Sequence, residues 1–97
     1  MSDRRCVNRD PARYPGKPDA RRLLLAMARH QGGPYQGIFD CGFILGKQLG
    51  IAEKRIARLL DEWCDARILD CGTSIRGCWF TPEGWSFVER MRESEGE

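Results

Sequence analysis

The sequence predicts a mainly α-helical domain carrying a small β-hairpin, an α+β arrangement of about three to four helices and two or three short strands. Three observations predict it. Two apolar-periodic segments between Phe43 and Leu69 meet at Leu49-Gly50-Ile51, which gives a helix, a glycine-containing turn and a longer helix. Residues 68–81 then place short β-prone runs on either side of Gly72-Thr73-Ser74 and Gly77, a hairpin pattern. Finally, Thr81-Pro82 precedes a last amphipathic stretch: threonine suits a helix cap, and proline suits a first turn, where its missing N–H costs nothing.

Composition bounds what such a domain can be. Ninety-seven residues make one domain with one modest core, and 41% hydrophobic with 31% charged residues is the balance of a soluble globular chain. The net charge of +2 permits nucleic-acid binding without arguing for it. The longest apolar run falls far short of the ~20 residues that span a bilayer, and no secretory leader is read at the start. A cytoplasmic protein with no membrane partner is expected. Its five cysteines, without close pairs, would stay reduced there.

Residues 1–18 read as a basic arm, expected to be flexible, with five cations (Arg4, Arg5, Arg9, Arg13, Lys17) against Asp3 and Asp10. Such an arm either lies along phosphates or a minor groove or is a solvated terminus. The domain proper is expected over 19–93, with an acidic, frayed tail at 94–97. Its first helix runs from about Asp19 to His30, buries Leu23, Leu24 and Met27, and ends at Gly32-Gly33. His30, the single histidine, sits in the last turn, where positive charge is favourable, and is read as structural. Tyr35 to Phe39 suit a short strand, and Asp40 can cap a helix from about Cys41.

The helix from Ala52 to about Arg67 carries Ile56, Leu59, Leu60 and Trp63 at spacings of three and four, an amphipathic stripe. With that stripe inward, Lys54, Arg55, Arg58, Asp61, Glu62 and Asp65 lie outward. A hairpin turn centred between Ser74 and Ile75 would oppose Leu69 to Phe80 and Cys71 to Cys78, and turn Asp70 and Trp79 outward. A slip of one residue would instead make Trp79 core. In the closing helix, Phe87, Val88 and Met91 form one stripe with Trp85 beside it, facing the first helix or a second copy of the chain.

Leu49-Gly50-Ile51, then Ile56, Leu60 and Trp63, then Ile68-Leu69, resembles the winged helix-turn-helix pattern of bacterial, archaeal and phage regulators. Trp79-Phe80-Thr81-Pro82-Glu83-Gly84 is similar to that family's passage from the last wing strand into a closing helix. The resemblance covers roughly residues 19 to 93. It implies a DNA-binding transcriptional regulator, with residues 52–66 as recognition helix and 68–81 as wing. Lys54, Arg55 and Arg58 would then enter the major groove of double-stranded DNA. Lys47 and Gln48 would lie near the duplex backbone, and Arg76 at the wing tip would meet a phosphate or the minor groove. Many proteins of this family are dimers, which suggests a homodimer through Trp85, Phe87 and Met91.

This chain departs from the family at two points. Ala52 stands where a small polar cap is common. The basic turns are also followed by Asp61, Glu62 and Asp65, so residues 52–66 carry three cations against four carboxylates. A second reading follows from that mixed face and from Trp79. It is a winged-helix protein-interaction module, such as a small phage- or plasmid-encoded inhibitor or accessory factor, whose action does not depend on DNA.

No phosphate-cradling glycine loop, Gly-x-Ser-x-Gly or His-Glu-x-x-His is present, and the lone histidine has no acid partner in view. No catalytic residue and no cofactor are expected. Cys64, Cys71 and Cys78 recur every seven residues with Cys41 as a candidate fourth, yet no pair has the close spacing of a zinc site. They are expected to be small buried hydrophobes rather than metal ligands, with a redox pair of Cys71 and Cys78 as the alternative.

Overall fold

The computed structural model describes residues 14–32, 41–71 and 77–94. Their order is α1 (Pro18–Gln31), α2 (Cys41–Gln48), α3 (Glu53–Asp65), β1 (Leu69–Cys71), β2 (Cys78–Phe80) and α4 (Pro82–Ser94). The domain is thus mostly helical, with a helix-turn-helix, a two-stranded antiparallel hairpin in the wing position and a closing helix. The expected strand over 35–39, the Asp40 cap, the hairpin bend at 72–76 with Arg76, and the arm through residue 13 lie outside the described residues.

α1 starts where the sequence places it: Pro18 occupies its first turn and Gly32 closes it at φ 77°. Leu23, Leu24 and Met27 are fully buried. α2 lays Gly42 and Gly46 against Leu60 and Ile56 of α3, so the two helices approach closely. The predicted α3 stripe of Ile56, Leu59, Leu60 and Trp63 is buried throughout, at roughly 1.5–3 kcal/mol for each large apolar side chain.

The hairpin has the predicted register, with Leu69 opposite Phe80, Asp70 opposite Trp79 and Cys71 opposite Cys78. Leu69, Cys78 and Phe80 face the core, while Trp79 is half-buried. The Thr81 N–H donates to the Ile68 carbonyl at 3.2 Å, so strand alternation directs the Phe80 N–H away from β1, to the open edge of β2. There it donates to Gln31 Oε1 at 3.3 Å, and Gln31 Nε2 in turn donates to Cys41 Sγ at 3.5 Å. One buried amide therefore ties α1 to α2 and to the hairpin.

Thr81 caps α4 as expected, its hydroxyl accepting the Gly84 N–H at 2.8 Å. Phe87, Val88 and Met91 are completely buried within this one chain, where α4 packs on α1. This corrects the suggested dimer surface: core packing uses Phe87 and Met91, and Trp85 lies edge-on to Phe80 with its indole N–H on Glu89.

Among the described residues, Tyr14, within the expected arm of residues 1–18, already packs against the domain. Its ring sits edge-on to Phe87 with centroids 6.1 Å apart, and its hydroxyl donates to Glu62 of α3. Arg21 donates to the Tyr14 carbonyl at 3.2 Å.

Candidate nucleic-acid interface

The outward half of the helix-turn-helix is set by the turn between α2 and α3. The Ile51 N–H reaches back to the Gly46 carbonyl and the Gly50 N–H to that of Lys47, both at 3.0 Å, with Gly50 at φ 81°. This is the Schellman arrangement, which needs a left-handed residue where glycine alone has no steric cost. The turn leaves Lys47 and Gln48 of α2, and Lys54 and Arg58 of α3, exposed. Ala52 makes no side-chain cap at the start of α3, as its lack of a hydroxyl dictates. The carboxylate in the first turn of α3 is that of Glu53, a favourable charge at the positive end of the helix dipole.

Arg55 behaves differently from its neighbours. Its Nε donates to Asp19 Oδ2 at 2.7 Å and its Nη2 to Oδ1 at 2.9 Å, a two-pronged ion pair between α3 and α1. This hydrogen bond holds the Asp19 carboxyl at about 2, well below the usual carboxylate range. In this structure the Arg55 side chain bridges two helices at the surface. Its partner lies 36 residues away in the chain, so no local pattern announced the pairing.

Beyond Arg58 the exposed stripe turns acidic, with Asp61, Glu62 and Asp65 all at the surface. Ile44, on the same side of α2 as Lys47 and Gln48, is 49% exposed and is the one exposed large hydrophobic among the described residues.

A second constellation lies at the other end of α3, and spacing alone did not predict it. Cys64 on α3, Cys71 on β1 and Cys78 on β2 bring their sulfurs within 4.8 Å of one another. The Cys64 and Cys71 sulfurs are bonded, so the disulfide joins a different pair from the Cys71–Cys78 alternative. Cys78 keeps its thiol with its sulfur 2.8 Å from that of Cys71 and 3.9 Å from that of Cys64. Burial pushes the Cys78 thiol up to about 12, with Cys41 and Asp70 adding to the effect.

Compared with protein-family models, with curated proteins and with solved structures, the chain matches none of them.

Proposed function

We propose that this protein is a DNA-binding transcriptional regulator of winged helix-turn-helix type. In this reading α3 enters the major groove by its first turns, where Lys54 and Arg58 address base edges or phosphates. Lys47 and Gln48 follow the duplex backbone, and the wing with Arg76 approaches the neighbouring groove. The observation that carries the reading is the exposed basic side of the turn. Three cations and an amide, supplied by two adjoining helices, border the start of α3, where Ala52 offers no side-chain cap. Arg55 serves here by holding α3 against α1, so that the exposed cations are presented at a fixed angle.

The test is fluorescence anisotropy of a mixed-sequence duplex at two salt concentrations. Binding should weaken steeply with salt, because condensed counterions are displaced. The Lys54→Ala/Arg58→Ala pair should remove most of the binding with the fold intact, and the salt slope should fall by about 1 for each cation lost. Absence of binding at micromolar protein and low salt would overturn the reading.

The protein-interaction module is favoured by a different observation, the exposed Ile44 beside Lys47 and the acidic second half of α3. Under that reading Ile44→Asp abolishes partner capture, while the Lys54/Arg58 pair of substitutions has little effect.

A further inference from the structure

We propose that Cys64, Cys71 and Cys78, in the reduced protein, form a three-thiolate site for a thiophilic divalent cation of the zinc type, joining the end of α3 to both strands of the hairpin. The three side chains come from separate elements, yet their sulfurs lie within 4.8 Å of one another. Sulfurs sharing a tetrahedral ion at ~2.3 Å stand ~3.8 Å apart, and Cys64 and Cys78 are already at 3.9 Å. Cys71 is the sulfur out of place, 2.8 Å from that of Cys78 and bonded to that of Cys64, so once the bond is reduced it is the one that must move outward to reach the same spacing. Three half-buried or buried sulfurs around one point are more than apolar packing requires, and a disulfide uses two of them.

Access and need point the same way. A surface depression lined by Arg58, Asp61, Glu62, Cys64 and Asp65 borders the cluster at Cys64, and its three carboxylates outnumber its one cation. The hairpin it would tether has three residues in each described strand, and an isolated two-stranded ribbon is marginal in water. The three sulfurs leave a fourth coordination position open, for water or an incoming thiol.

The chemistry balances with a phosphine as reductant. Two electrons from the phosphine cleave the Cys64–Cys71 bond to two thiols, and the phosphine leaves as its oxide with an oxygen from water. Cation binding then releases one proton from each of the three thiols.

The experiment titrates cobalt(II), a spectroscopic stand-in for zinc, into the untagged, phosphine-reduced full chain under anaerobic conditions. We expect a sulfur-to-cobalt charge-transfer band saturating at one equivalent, its loss on adding zinc, and a zinc-dependent rise in melting temperature. Cys6→Ser keeps the band. Cys64→Ser and Cys71→Ser, both at half-buried positions and checked for folding by circular dichroism, should each lose it. Cys78→Ser, at a buried position, provides a third arm if it folds. The proposal is overturned if the folded, reduced wild type shows no such band, or if the band survives in both Cys64→Ser and Cys71→Ser. Neither result depends on whether the protein binds DNA.

Discussion

Gly50 and Arg67 hold equivalent places in the two turns that bound α3, with φ of 81° and 67°. In the first turn Ile51 and Gly50 bond back to Gly46 and Lys47. In the second, Ile68 and Arg67 bond back to Trp63 and Cys64. The hydrogen-bond pattern is the same, but the residue at the left-handed position is not. Glycine takes that conformation without strain, whereas an L side chain there costs ~1–2 kcal/mol.

The second turn is sustained from outside. The Thr81 hydroxyl donates to the Arg67 carbonyl at 2.8 Å, and the Thr81 N–H donates to that of Ile68. Ile68 itself is buried, as is Trp63 beneath it. A glycine does serve this turn, but it lies in α4: at Gly84 a Cβ would collide with the Ile68 carbonyl. The first turn is thus a local solution and the second a tertiary one.

Substitutions can separate the two. The largest effect is expected for Gly84→Ala, which must push α4 off the second turn at a cost of ~3 kcal/mol, read as a lower midpoint in chemical denaturation. Gly50→Ala should cost less, ~1–2 kcal/mol, because the space around Gly50 is open and only the backbone conformation is penalised. Arg67→Gly should stabilise by up to ~1 kcal/mol, since relief of strain is partly offset by the greater freedom of glycine when unfolded. A loss of stability there would mean that contacts of the Arg67 side chain outweigh its strain.

The smallest effect belongs to the ion pair that holds the first end of α3 to α1. Asp19 is 38% exposed and Arg55 34%, so Asp19→Asn should fall within the ~0–1 kcal/mol of exposed pairs. The sign with pH follows from the depressed carboxyl. Its contribution is complete above the ordinary aspartate value near ~4 and is lost as pH falls through about 2. An NMR titration of the Asp19 carboxyl should find that low midpoint in wild type and an ordinary one in Arg55→Ala.

What could be read in the sequence divides along the same line. Periodicity located α1, α2 and α3 to within a residue or two, because their apolar faces repeat on the helix itself. The hairpin register followed from alternation, and the Thr81-Pro82 start of α4 from capping chemistry. Arg67 gave no sign of its backbone state, because what stabilises it is Thr81, fourteen residues on. The sulfurs of Cys64, Cys71 and Cys78 were hidden for a related reason: a spacing of seven carries no metal-site signature when the chain changes element between them. The pairing of Arg55 with Asp19 was hidden too, because an outward position on a helix wheel does not reveal a partner on another helix.

The link through Gln31 also supplies a built-in clock for the hairpin. The Phe80 amide proton is covered by the side chain of one residue in α1, so it can exchange with solvent only when that amide lets go. Its exchange rate, set against those of amides inside α3, measures how often the wing lifts from the helical layer while the helix-turn-helix stays folded.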